Sequence, residues 1–190
     1  IGNDDAANVL LDAIEKTPVD AKHWRDTHGI RTALETLIAQ PAPRARAFAM
    51  LETLSEQPKL GVIASAIVET MDEGDAIRLL ELADTKRRNI IGNELVSRLE
   101  NAAVTRVPVA NMGSIYELES KPLPALRKRA FELMLANAAS AHHARLCLRA
   151  IDELRDQYGK PLAEPNHPDR EAHIPWPEAG TLGWSCVNLE

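Results

Sequence analysis

Histidine and carboxylate side chains are the first candidates for metal chemistry in this sequence. His167 and His173 enclose Asp169 and Glu171 within one short stretch, and imidazole and carboxylate groups are common ligands of divalent metals. The stretch is rich in proline and has no helical frame that would fix several ligands around one ion. We therefore interpret these side chains as solvated loop residues and predict no metal site.

The remaining histidines are weaker candidates for a ligand site. His142 and His143 are adjacent, so on a helix they point about 100° apart and cannot bind one ion together. His23, Trp24 and His28 either line a small pocket or, in the interpretation that we favour, leave Trp24 as an apolar anchor with both histidines exposed.

The familiar motifs of catalysis and nucleotide binding do not occur in the sequence. It contains no GxGxxG, GxxxxGK(S/T), HExxH or GxSxG pattern. Ser114 follows Gly113 without a visible base, so we interpret it as a turn residue. We predict that the protein is not an enzyme and that it has no catalytic residue, no cofactor-binding residue and no cofactor.

The cysteines and the hydropathy pattern bear on the cellular location. Cys147 and Cys186 are far apart and belong to no CxxC or metal-ligand pattern, which favours a reducing compartment. We predict a cytoplasmic protein with Cys147 in its core. The sequence also lacks a signal peptide and a run of about 18 apolar residues, so we predict no membrane contact.

Two basic clusters are the best candidates for a binding surface, Lys86-Arg87-Arg88 and Arg127-Lys128-Arg129. In a stack of helices they could form one positive patch; alternatively, the first cluster neutralises the C-terminal dipole of the fifth helix. The net charge of −6 argues against a nucleic-acid partner, so we predict only non-specific binding to DNA. The candidate partner-binding surface consists of Arg87, Arg88, Tyr116, Arg127 and Arg129.

Helices are the elements expected to position these residues. Apolar residues make up 45% of the chain but aromatic residues only 4%, a balance that favours helix packing over a β-sandwich. Apolar residues recur at helical spacing, as Ala6, Leu10, Ala13 and Ile14 do in the first segment. The predicted helices are 4–16, 30–40, 43–56, 58–71, 75–84, 89–102, 123–138 and 140–158, the last of them capped by Ser140.

Residues 103–121 interrupt the helical pattern. Val104, Val107 and Val109 occur close together, a Gly113-Ser114 pair follows, and a second short apolar run comes after it. This segment is either a β-hairpin or a long ordered loop, and Pro108 would confine any strand to an edge.

The helical segments also show a spacing that is typical of stacked hairpins. Helices expected near residues 30, 59 and 89 recur at intervals of roughly 30 residues, without a tetratricopeptide or ankyrin consensus. On this pattern, residues 30–158 resemble HEAT-like and armadillo-like α-solenoids. The resemblance implies an all-α superhelix of antiparallel hairpins with an extended surface for another protein.

Five prolines between Gly159 and Pro177 predict an extended C-terminal segment. It is a free linker, a ligand for a partner's groove, or a strap packed on its own domain. Leu162, Ile174 and Trp176 supply the apolar anchors that a linker would lack, so we favour the strap. The pattern LRDQYGKP…EP.HPD…PWP is also similar to the C-terminal ends of helical-repeat regions in some bacterial multidomain signalling ATPases.

We therefore expect a helical-repeat domain over 1–158 and a packed strap over 159–188, with a vector remnant at 189–190 and a true start that lies before Ile1. The predicted function is a non-enzymatic protein-interaction or scaffold domain that is a monomer or weak dimer. Two alternatives are an acidic immunity-like or antitoxin-like neutralising protein and a regulatory helical region of a larger signalling ATPase. A third, a HEAT-like DNA-binding or DNA-repair enzyme, would need a continuous basic face.

Overall fold

The structure, a computed structural model, describes residues 3–19, 27–108, 116–137 and 139–159. Within these ranges the chain is all-α apart from one two-stranded sheet, as the sequence predicts. The elements of the N-terminal part are α1 (Asn3–Lys16), α2 (Thr27–Leu37), α3 (Pro41–Thr53), α4 (Gln57–Val68), α5 (Glu73–Thr85) and α6 (Asn89–Ser97). The elements that follow are α7 (Glu100–Ala103), β1 (Val104–Pro108), β2 (Tyr116–Ser120), α8 (Pro124–Ala136) and α9 (His142–Tyr158).

The longer helices pack in two layers. In one layer α2 packs against α4, α4 against α6, and α6 against α9. In the other, α1 packs against α3 and α5 packs against α8. The helices predicted to begin near residues 30, 59 and 89 are α2, α4 and α6, which lie next to one another as expected for stacked helical hairpins.

Prolines set the beginnings of three helices. Pro41, Pro58 and Pro124 occupy the first turns of α3, α4 and α8, where the missing amide hydrogen leaves no helical hydrogen bond unmade. The fifth helix begins two residues before its predicted start, because Asp72 is its N-cap. The Asp72 carboxylate accepts a hydrogen bond from the amide of Asp75, whose own carboxylate accepts from the Asp72 amide.

The core is apolar, and in α1 its buried face differs from the predicted one. The buried face of α1 consists of Ala7, Leu11 and Ile14, whereas the predicted Ala13 is exposed. Apolar residues surround much of this helix, so their spacing alone does not select the buried side. In α3 the fully buried Phe48 belongs to the core.

The predicted sixth helix, 89–102, is divided into α6 and α7. A turn at residues 98–99 separates them, although Leu99 remains buried. The side-chain amide of Asn101 donates to the backbone oxygen of Val68, 2.9 Å away, and so ties α7 to the C-terminal end of α4. The chain then passes directly from α7 into β1.

Residues 104–120 include the β-hairpin that was one of the two predicted alternatives. β1 and β2 are antiparallel, with Val104 opposite Ser120 and Pro108 opposite Tyr116. Pro108 is the final residue of β1, a position compatible with its missing amide hydrogen. The backbone amide of Lys121 donates to the Ala103 oxygen at 2.5 Å, and β2 packs against α9.

At the C-terminal side α9 ends at Tyr158, and Gly159 is its C-cap. The predicted anchors Leu162, Ile174 and Trp176 lie outside the described residues, so the strap stays a prediction. None of the helices in the described ranges combines the length and the apolar character that a transmembrane span needs.

Candidate functional site

The first basic cluster lies in the turn between α5 and α6. Arg87 is exposed and has φ of 54°, and the amide of Arg88 donates to the Ala83 oxygen at 2.9 Å. This left-handed residue and its 6→1 hydrogen bond form a Schellman motif that ends α5. The Arg88 guanidinium donates to the backbone oxygens of Leu54 and Glu52. Arg88 therefore binds the C-terminal end of α3, not that of the fifth helix.

The second basic cluster lies on α8, where carboxylates bind two of its guanidinium groups. Arg127 donates to Asp152 of α9 at 2.7 Å, and both side chains are about 15% exposed. Arg129 donates to Glu81 of α5 at 2.8 Å and to Glu132 at 3.0 Å. The Glu132 contact, more than that of Glu81, raises the pKa of Arg129. Much of the positive charge on α8 is therefore neutralised within the chain.

The five residues of the candidate partner-binding surface thus have different surroundings. Arg88, Arg127 and Arg129 have intramolecular partners on α3, α9 and α5 respectively, whereas Arg87 is exposed. Tyr116 is the first residue of β2. The assignment of these residues to a partner-binding surface stays a prediction.

A buried polar cluster joins α5 to the beginning of α9. Asp84 and His143 are 5% and 2% exposed, and an oxygen of the Asp84 carboxylate lies 2.9 Å from Nδ1 of His143. The same carboxylate accepts the backbone amides of His143 and Ala144 at 3.0 and 2.8 Å. Asp84 thereby provides the N-terminal cap of α9, and the prediction that Ser140 caps it is wrong. The N-cap position is Ala141, which makes no side-chain cap.

The imidazole of His143 packs closely against α6. Its ring lies against the backbone of Gly92 in α6, at a position that a β-carbon on residue 92 would overlap. Because the Asp84 carboxylate accepts hydrogen bonds, we assign the proton to Nδ1, which donates to it. The adjacent His142 is exposed, and its ring makes an edge contact with that of His143, with 5.0 Å between the ring centroids.

Asp84, His143 and Cys147 lie on the neighbouring helices α5 and α9. An Asp, a His and a Cys can form a nucleophilic site, but the burial of these three side chains argues against one here. Cys147 follows His143 by one helical turn and is fully buried. Burial, helped by the negative charge of Asp84, raises the pKa of the Cys147 thiol to about 12. A thiol in this state is a poor nucleophile, so the cluster acts as a structural connection.

Two further carboxylates of α5 bind the hairpin formed by α8 and α9. Glu73 accepts the backbone amides of Ala125 and Leu126 at 2.7 and 3.0 Å. The N-cap position of α8 is Leu123, which offers no side-chain cap. Glu81 binds Arg129 as described above, so Glu73, Glu81 and Asp84 all contact the α8–α9 hairpin from α5.

In the N-terminal helices, cationic side chains connect neighbouring helices by donating hydrogen bonds to backbone oxygens at helix ends. Arg44 donates to the Asp75 carboxylate at 2.5 Å and to the backbone oxygens of Ile38 and Thr70 at 3.3 and 3.2 Å. Lys59 is 3% exposed and donates to the Glu15 oxygen at 2.7 Å, at the end of α1. These side chains bind carbonyl groups at helix C-termini, which carry partial negative charge.

Among the described residues, no group of three or more His, Cys, Asp or Glu side chains is arranged to hold a metal ion. His167, His173, Asp169 and Glu171 lie outside those residues, as do His23 and Trp24.

The contacts of α5 were not predicted from the sequence, although the pattern of α5 contains one indication of them. Asp84 follows Ala76 and Leu80 at intervals of four residues, so a charged side chain lies on an apolar stripe. Such a residue requires a buried partner. Its partner His143 is 59 positions away in the sequence, and no local pattern identifies it.

Comparison with known protein families gives one match. Residues 98–177 match a family described as NACHT C-terminal Alpha/Beta 2. The match begins at the turn between α6 and α7, and its described part contains α7, both strands, α8 and α9. No curated protein and no solved structure matches the chain.

The predicted resemblance to α-solenoids is confirmed only in its coarser part. The chain has several helices that pack together, but the matching family is an alpha/beta family and not a HEAT or armadillo repeat. The residues that resemble the ends of signalling-ATPase regions begin at Leu154 and reach Pro177, and they lie within the matched range.

Proposed function

We propose that the chain is a non-enzymatic, cytoplasmic regulatory region of a larger signalling ATPase and that it acts by binding protein. The observation that carries this proposal is the match of residues 98–177 to a NACHT C-terminal family. The similarity of residues 154–177 to the ends of helical regions in signalling ATPases supports the same assignment.

The chemistry of the described residues supports a role without catalysis. The side chains best suited to nucleophilic or acid–base work, Cys147 and His143, are buried in the contact between α5 and α9. Arg87 supports a role in binding because its charged side chain is exposed and can meet a partner.

The proposal is tested on the native polypeptide in the source cells. An antibody against the chain should precipitate a polypeptide much larger than 20.9 kDa that hydrolyses ATP, while the isolated chain does not. Deletion of residues 98–177 from the large polypeptide should change its ATP hydrolysis or its protein partners. A polypeptide of the size of the chain, in complex with a second protein, would contradict the proposal and favour the neutralising-protein alternative.

A substitution tests the predicted surface within this experiment. Arg87→Glu should weaken partner binding, since it reverses an exposed charge. Arg149→Glu is the matched control, because Arg149 is also exposed and lies on α9, outside the predicted surface. Equal effects of both substitutions, or no effect of Arg87→Glu, would remove Arg87 from the surface.

A further inference from the structure

The helices of the α8–α9 hairpin depend on α5 for their N-terminal caps. The first free amides of a helix need acceptors, which are usually provided by its own N-cap side chain. Leu123 and Ala141 occupy the N-cap positions of α8 and α9 and make no side-chain cap. The acceptors are Glu73 for α8 and Asp84 for α9, both from α5.

The two capping carboxylates lie on the same side of α5. They are 11 positions apart, which is about three helical turns, so Glu73 and Asp84 project in nearly the same direction. Glu81 lies between them in the sequence and binds Arg129 at 2.8 Å. One helix therefore provides three anionic attachments, and the hairpin supplies backbone amides, an imidazole and a guanidinium as donors.

Apolar side chains of the hairpin also pack into the core. Leu126, Ala130 and Cys147 are fully buried, whereas Leu133, Met134 and Ile151 each retain 8% exposure. The three attachments to α5 add a polar contribution to this apolar contact.

We propose that the α8–α9 hairpin is a detachable unit that α5 holds through Glu73, Glu81 and Asp84, and that it opens as a whole while α2–α4 stay folded. When the hairpin leaves α5, the first turns of both helices lose their caps, so release and fraying of these turns are coupled. Such opening of one cooperative unit below the global unfolding free energy is a known property of folded domains. It belongs to the isolated chain and holds or fails independently of the proposed ATPase.

Cys147 is a built-in probe for this opening. Its thiol is fully buried in α9 and reacts with a dithiodipyridine reagent only when α9 is exposed. With Cys186→Ser as the background, the reaction reports on Cys147 alone. We expect the labelling rate in low urea to depend less on urea than global unfolding does, because the opening exposes less surface.

Charge-removing substitutions identify the attachments. Asp84→Asn should speed labelling on the order of ten- to a hundredfold, the effect of weakening a charged buried acceptor. Glu73→Gln, at a partly exposed site, should act in the same direction and decides the matter if Asp84→Asn does not fold. Glu153→Gln is the control, because Glu153 lies on α9 in an exposed ion pair with Arg149 of the same helix.

Hydrogen exchange followed by mass spectrometry completes the test. In Glu73→Gln or Asp84→Asn, amides of α8 and α9 should exchange faster while those of α3 and α4 remain unchanged. Labelling with the full urea dependence of global unfolding would overturn the proposal. Equal acceleration in α3 and α4, or an effect of Glu153→Gln as large as that of the α5 variants, would overturn it too.

Discussion

At the scale of single residues, Arg87 has a backbone conformation that glycine usually adopts. Its φ of 54° places the β-carbon in a crowded position at the C-terminal end of α5. Arg87→Gly should raise the free energy of unfolding by about 1 kcal/mol, since it removes this strain at an exposed site. Urea denaturation measures the change.

Lys86 provides the control for this substitution. It is also exposed but has φ of −99°, so Lys86→Gly relieves no strain and should leave stability unchanged or lower it. Stabilisation by both substitutions, or by neither, would contradict the role assigned to φ at Arg87.

Gly92 illustrates a residue that must be small because of a distant neighbour. Gly92→Ala should lower the free energy of unfolding by about 1–3 kcal/mol, since the new methyl group would overlap the His143 ring and displace it from Asp84. Gly29→Ala is the control, because a β-carbon there meets nothing within 4 Å and alanine favours helix by up to about 1 kcal/mol. Thermal or urea unfolding separates the two outcomes. If Gly92→Ala leaves the free energy of unfolding unchanged, the His143 ring moves aside at little energetic cost.

At the scale of elements, local signals predicted most helices. Pro41, Pro58 and Pro124 mark helix starts because the first turn is the place in a helix that tolerates proline. The break between α6 and α7 escaped prediction, since Ile91, Leu95 and Leu99 keep helical spacing across it. The caps of α8 and α9 escaped as well. They come from another helix, and sequence patterns detect only caps within the same segment.

The contact between α1 and α3 should make stability depend on pH. Arg46, and after it Lys16, lower the pKa of Asp12 from 3.8 to about 2. Because the folded pKa lies below the ordinary value, the stabilisation is complete above pH 3.8 and is lost as the pH falls toward about 2. The difference in urea midpoint between the parent and Asp12→Asn should therefore shrink between neutral pH and about pH 3. In an Arg46→Ala background, the substitution should have a smaller effect at neutral pH; an undiminished effect would contradict Arg46 as the main cause.

At the scale of the whole molecule, α5 connects parts that the sequence pattern predicts to be equivalent hairpins. It packs against α6, α8 and α9, and its Asp75 receives Arg44 from α3. The all-α class followed from composition and periodicity, but these connections join residues 31 to 60 positions apart. The candidate surface was predicted from clustered charge alone. That signal cannot separate exposed Arg87 from Arg127, which has a carboxylate partner.

The predicted strap leads to a test on the whole chain. The family match runs from residue 98 through Pro177, so α7, α8, α9 and residues 160–177 fall within one matched range. We expect removal of residues 160–190 to lower the free energy of unfolding by about 2–5 kcal/mol, as loss of large buried apolar side chains does. It should also increase aggregation by exposing apolar surface. Removal of residues 189–190 alone, the predicted vector remnant, is the control and should leave the melting temperature unchanged. The prediction is contradicted if the parent and the longer truncation melt at the same temperature and if solvent fully quenches the fluorescence of Trp176 in the parent. The tail would then be a free segment available to a partner.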